Sequence, residues 1–196
     1  ADIGFAVDPD VDRLVLVEGS GKLLSEEMTL AVAVDFLLGK QLGNVVVNLS
    51  TTGLIEEVAG KHNSTVKRSP VGEINVVEVM EECDAVIGGE GNGGVIYPLL
   101  HSGRDALVGI AMVLQYIADS KQTLTEIVAN YPPVVMVKEK FDFTGEFDVE
   151  AVANALSKLG PGSLDKSDGV RWSDDSCWVH VRPSNTEAVV RVIAEA

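Results

Sequence analysis

The chain has 196 residues, 46% of them hydrophobic, enough to bury the core of one large or two small domains and too apolar for a disordered segment. Its 30 acidic residues outweigh 15 basic ones, and the formal net charge of −15 argues against nonspecific binding to nucleic acid or to an anionic membrane. No apolar run reaches membrane-spanning length and no signal peptide is visible. Cys83 and Cys177 lie far apart without metal-ligand spacing, as expected of two buried thiols in a reducing cytoplasm.

The chain opens as "ADIGFAVD", without Met and already in strand-like alternation, which reads as a cut inside a larger protein. Residues 3–7 and 14–18, rich in Val, Ile and Leu, predict two strands flanking an aspartate loop, and 18–22 (EGSGK) predicts a turn. Ser25 ahead of Glu26 and Glu27 predicts the cap of a helix over 26–38 that Gly39 closes. Strands follow at 44–50 and 65–69, with helices at 52–63 and 74–82. Residues 84–98 read as a strand, a glycine-rich turn and a second strand. The apolar run 104–120 predicts a long helix buried on most sides.

This alternation predicts a three-layer α/β domain with an at least partly parallel, mixed sheet. Two prolines in "NYPPVV" (130–135) then break the rhythm. A helix at 148–159 and antiparallel strands at 169–175, 177–183 and 188–196 predict a smaller α+β domain.

Three stretches carry candidate chemistry. In "DPDVDR", Asp8, Asp10 and Asp12 alternate, and on an extended strand they would project to one side. Three carboxylates at that spacing suit a hard cation such as Mg²⁺ or Ca²⁺, and Arg13 adds a fork-shaped donor for phosphate. An EF-hand is excluded, because Arg13 stands where glycine is needed and strands flank the loop. The competing reading is a solvated acidic turn.

In "GGEGNGG" (88–94), five glycines let the backbone approach a ligand, and Glu90 and Asn92 offer acceptor and donor groups suited to sugar hydroxyls. It lacks the Gly-Lys-Ser/Thr of a phosphate-cradling P-loop, and the competing reading is a hairpin turn. In "RPSNTEAVVRV" (182–192), Arg182, Ser184, Asn185 and Thr186 sit on a turn that could clasp a phosphate, with Arg191 as a second cation. The alternative is a turn that caps its own backbone. Gly72-Glu73 and His101 with Arg104 are further candidates, Asp105 reads as a helix cap, and His62 and His180 as surface or satisfied histidines.

In this order and at these separations, the three motifs resemble those of the α-D-phosphohexomutase family of phosphoglucomutases, phosphomannomutases and phosphoglucosamine mutases. The resemblance implies that residues 1–22 end the second of four domains, that 23–133 form the sugar-recognising third, and that 134–196 form the phosphate-binding fourth. It implies Mg²⁺ on Asp8, Asp10 and Asp12, with Arg13 stabilising the transferring phosphoryl group. Glu90 and Asn92 would hold the sugar, and Arg182, Ser184, Asn185, Thr186 and Arg191 the remote phosphate.

By the same resemblance the reaction interconverts hexose 1- and 6-phosphates through a bisphosphorylated sugar and a phosphoserine. That serine belongs to a first-domain loop with no counterpart here. "NLSTTG" (48–53) lacks the family's His-Asn-Pro and is not assigned the role. The chain is therefore expected to be inactive alone and to work with missing N-terminal domains.

Several positions depart from the family pattern G-E-x-S-G-H and its surroundings. Asn92 replaces Ser, Gly94 stands at the histidine position, and Ala188 replaces a proline. Glu73 stands where some relatives have histidine, which would favour an amino sugar. A noncatalytic protein that binds a divalent metal or a sugar phosphate is the alternative reading.

Overall fold

The structure, a computed structural model, describes residues 1–184 and 186–196. Two compact units meet at the Pro132–Pro133 peptide, inside the two-proline stretch.

The first unit, Ala1–Pro132, begins with an antiparallel hairpin of β1 (Ile3–Val7) and β2 (Leu14–Glu18), whose tip is the aspartate loop. Ser25 caps α1 (Glu26–Leu38), its hydroxyl accepting the Glu27 amide at 3.3 Å. The four-stranded sheet follows: β3 (Val45–Asn48), β4 (Val66–Ser69) and β5 (Ile87–Glu90) run parallel, and β6 (Gly94–Ile96) is antiparallel at the edge, in the order β4-β3-β5-β6.

The crossovers are α2 (Leu54–Lys61) and α3 (Glu73–Glu82), with α4 (Ala106–Ser120) and α5 (Leu124–Val128) after the sheet. Strand alternation divides the core between two faces. Val45 and Val47 join Leu30, Val34 and Leu54 on one side. Val46 joins Val76 and Met80 of α3 on the other. This is the mixed three-layer sandwich expected. At the far end of α1, Asp35 accepts hydrogen bonds from Tyr116 (2.8 Å) and Tyr131 (2.9 Å) and pairs with His62 at 2.7 Å, so His62 is a satisfied histidine.

The second unit, Pro133–Ala196, holds a five-stranded antiparallel sheet. Its strands are β7 (Met136–Asp142), β8 (Ser163–Asp165), β9 (Val170–Ser173), β10 (Trp178–Pro183) and β11 (Val189–Glu195), ordered β7-β11-β10-β9-β8. Asp148 caps α6 (Val149–Leu156), accepting the Ala151 amide at 2.9 Å. Ala153 and Leu156 of that helix pack on Val170 and Trp172. His180 is fully buried and bonded to the Asp168 carbonyl at 2.7 Å.

Two expectations need correction. The α4 helix is buried on one face only, with Leu107 and Leu114 exposed at 63% and 45%. The thiols of Cys83 and Cys177 are half-buried. Leu14 and Leu16 of β2 are fully buried in the main core of the first unit, with which residues 1–22 cluster.

Candidate active site

The three parallel strands end at Asn48, Ser69 and Glu90. Ligands of open α/β sheets bind outside such carboxyl ends. The glycine loop leaves β5 here, and the aspartate loop is tied to it. Leu14 donates its amide to the Gly93 carbonyl at 3.0 Å, and Ala106 at the start of α4 donates to the Val11 carbonyl at 3.0 Å. Gly93 has a φ of +88°, and a side chain there would overlap the Leu14 carbonyl, so this close approach requires glycine.

The aspartate loop is a turn rather than an extended strand. Val11 adopts a left-handed φ of 58° and returns its amide to the Asp8 carbonyl at 3.1 Å. The alternation argument therefore does not apply across the turn, where Asp10 is exposed. Asp8 and Asp12 do converge. Asp8 Oδ1 accepts the amides of Asp12 (3.2 Å) and Arg13 (3.3 Å), and the Arg13 Nε lies 3.7 Å from Asp8 and 3.9 Å from Asp12. Desolvation pushes the Asp8 carboxyl upward, but hydrogen bonds from Asp12 and from the Arg13 and Asp12 amides outweigh it and hold it low. Burial, followed by the hydrogen bond with Asp8, raises the Asp12 carboxyl against the pull of Arg104.

Asp8 and Asp12 flank the Arg13 guanidinium, and Asp12 Oδ1 is buried and accepts no hydrogen bond among the described residues, so the two carboxylates form a donor set that fits a hard divalent cation. The expected three-aspartate cage is not assembled. Among the described residues, no three His, Cys, Asp or Glu side chains are grouped to hold a metal ion.

Glu90 is buried, and its carboxylate is engaged on both oxygens. Oε1 accepts from Asn48 Nδ2 at 2.8 Å and the Gly72 amide at 3.2 Å; Oε2 accepts from Arg104 at 2.6 Å and Asn92 Nδ2 at 3.4 Å. The sequence suggests Glu90 as an acceptor for a sugar hydroxyl; with both oxygens engaged, it would take one by exchanging a present donor. The Asn92 amide at 3.4 Å is the weakest. Asn92 does face open space, lining with Asp8, Arg13 and Glu26 a shallow cleft of about 380 Å³.

Arg104 binds three carboxylates from three segments. Its NH2 lies 2.6 Å from Asp12, its Nε 2.7 Å from Glu73, and its NH1 2.6 Å from Glu90. Neither composition nor spacing marks Arg104 as a hub; only the fold brings its partners together. Asp105 is the helix cap expected, accepting the Leu107 and Val108 amides at 2.7 and 3.1 Å.

In the second unit, Arg182 and Arg191 stand opposite each other across β10 and β11. Both arginines are ion-paired within the chain. Arg182 is buried and its Nε donates to Asp168 at 2.9 Å, while Arg191 is paired with Glu187. The Ser184 hydroxyl accepts the Thr186 and Glu187 amides at 3.4 and 3.3 Å, so the turn caps its own backbone. Thr186 is exposed, and Asn185 lies outside the described residues.

The chain thus pairs an α/β/α unit with a small α+β unit. Residues 25–134 match the family model "Phosphoglucomutase/phosphomannomutase, alpha/beta/alpha domain III", and 135–196 match "Phosphoglucomutase/phosphomannomutase, C-terminal domain". A phosphoglucomutase/phosphomannomutase of Thermococcus kodakarensis is 33% identical over 100% of this chain and 43% of its own length. A "Probable phosphoglucosamine mutase" of Methanopyrus kandleri is likewise 33% identical, over 100% and 44%. The crystal structure of a phosphoglucomutase/phosphomannomutase family protein from Burkholderia thailandensis superposes with a TM-score of 0.83 at 21% identity, over 100% of this chain and 43% of that one. The chain belongs to the phosphoglucomutase/phosphomannomutase family and corresponds to its C-terminal portion. It spans less than half the length of these relatives.

Proposed function

We propose that this chain is the metal-, sugar- and phosphate-binding portion of a cytoplasmic phosphohexomutase, whose phosphoserine resides in domains outside it. The whole protein would interconvert the 1- and 6-phosphates of a hexose through a bisphosphorylated intermediate. The observation that carries this reading is the convergence of Asp12, Glu73 and Glu90 on Arg104, which joins the metal loop to the sugar loop in a single site.

Asp8 and Asp12 would hold Mg²⁺, with Asp10 free to join them through the turn. The ion would neutralise charge on the phosphoryl group in transfer. Arg13, half-exposed beside both carboxylates, would donate its guanidinium to nonbridging phosphoryl oxygens. Asn92 would bond ring hydroxyls, and Glu90 would accept one by releasing the Asn92 amide. In the second unit, Ser184, Asn185 and Thr186 would hold the phosphate not being transferred. Arg191 would exchange Glu187 for it, and Arg182 would stay paired and stiffen the strand.

We propose glucosamine phosphate as the preferred sugar. Glu73 Oε2 is held by Arg104, whereas Oε1 accepts no hydrogen bond among the described residues and can receive an ammonium group. The test is a ³¹P NMR assay of the complete mutase carrying this chain. Conversion of glucosamine 6-phosphate, lost in Asp12→Asn, supports the reading. Binding without conversion, with or without Mg²⁺, would leave a noncatalytic sugar-phosphate-binding protein.

A further inference from the structure

We propose that Arg104 is a positioning residue that locks the metal loop, the Glu73 turn and the sugar loop into one geometry, and that Gly94 is glycine to make room for it. The inference deepens the mutase reading and rests on it for the meaning of the two loops.

The first observation is the division of labour on the guanidinium. Its Nε, NH1 and NH2 each meet a different carboxylate, on Glu73, Glu90 and Asp12. These three acids come from segments 61 and 17 residues apart in sequence (73 − 12 and 90 − 73), and nothing local would hold them together. Three carboxylates grouped this closely repel one another. A rigid planar fork with donors on several edges can offset all three at once, whereas a lysine offers a single point charge. The Arg104 side chain is only 14% exposed, so these interactions are weakly screened.

The second observation is steric and independent of charge. A methyl group built on Gly94 would overlap Cδ of Arg104 and crowd its Cγ at 2.9 Å. The φ of Gly94 is not in the left-handed region, so alanine is compatible with the backbone there. Position 94 and the Arg104 stem therefore compete for one volume. The β6 register adds to this, since Arg104 bridges Ile96, two residues beyond Gly94 on the same strand. A side chain at 94 and the arginine hub exclude each other.

The test is a double-mutant cycle on this chain with Arg104→Ala, Gly94→Ala and the double variant, plus Arg104→Lys. The ligand-free arm reads backbone amide shifts and hydrogen exchange by NMR. Both single variants should perturb residues 8–13, 72–73 and 90–94 together and speed exchange in these segments tenfold or more. The double variant should add nothing to Arg104→Ala. Arg104→Lys should fail to restore the wild-type spectrum, and it carries the test if Arg104→Ala does not fold.

The ligand arm reads Mg²⁺ and glucosamine 6-phosphate affinities. Both should fall at least tenfold in Arg104→Ala and Gly94→Ala while the thermal midpoint of the second unit stays put. Changes confined to residues 103–106, strict additivity of the two single variants, or full rescue by lysine would each overturn the proposal. A wild-type chain that binds neither ligand would count against the mutase reading instead, with the ligand-free arm still deciding the role of Arg104.

Discussion

Asp168 holds Arg182 through a 2.9 Å hydrogen bond from Nε, with the two side chains only 16% and 8% exposed. This pair turns an apparent ligand-binding arginine into part of the sheet. Asp168→Ala would leave a nearly buried guanidinium without its counter-ion, and the expected cost is about 3 kcal/mol. Glu187→Ala removes the partner of the exposed Arg191 and should cost less than about 1 kcal/mol. Urea unfolding of the two variants side by side checks the contrast.

Gly93 is where the two loops of the site touch. Alanine there would have to adopt a φ near +88° and would meet the Leu14 carbonyl. Gly93→Ala should lower stability by at least about 2 kcal/mol. Thermal unfolding measures the loss, and the amides of residues 12–14 should shift with it. Gly21, with a φ of +87° and open space around its Cα, is the control. Gly21→Ala bears only the backbone strain, about 1 kcal/mol.

His180 sets an acid limit for the second unit. Desolvation lowers its folded-state pKa, against the Asp168 carbonyl and carboxylate, which pull it up, and with Arg182 and Arg171, which reinforce the lowering. The folded protein thus keeps His180 neutral at pH values where the unfolded chain binds a proton. Its contribution is fully present above the unfolded pKa of 6.5 and is lost as pH falls through the folded value. The thermal midpoint should drop on acidification below about pH 6.5. His180→Gln should flatten that part of the profile.

Element type was legible wherever the local pattern and the tertiary burial agreed. The β1–β2 hairpin, α1 with its Ser25 cap and Gly39 stop, and the parallel strands all lie within a few residues of expectation. The short α5 was not anticipated, although its Thr123–Glu126 capping box is a local signal, because five residues are too few to show a period. Strands β7 and β8 were missed for a related reason. They follow prolines or glycines and expose nearly every side chain, so no alternation marks them.

The site was legible as a set of loops and not as a set of contacts. Asp8, Arg13 and Asn92 line one cleft, which their motifs suggest. The left-handed Val11 that shapes the aspartate turn has no sequence signature, since β-branched residues rarely adopt that conformation. Arg104 reads as a candidate beside His101, but its role as a hub is not legible, because its three partners are distant in sequence. Asp168, 14 residues before Arg182, also gives no local hint that the arginine is already paired.

The most direct test of the mutase reading is an ¹H–¹⁵N titration of this chain with Mg²⁺ and with glucosamine, glucose and mannose 6-phosphates, against inorganic phosphate. The account predicts that every phosphate shifts Ser184 and Thr186. Only the sugars should also shift Glu90 and Asn92, and the amino sugar should add Glu73 and bind most tightly. Millimolar glucosamine 6-phosphate that leaves Glu73, Glu90 and Asn92 unmoved in the presence of Mg²⁺ would contradict it.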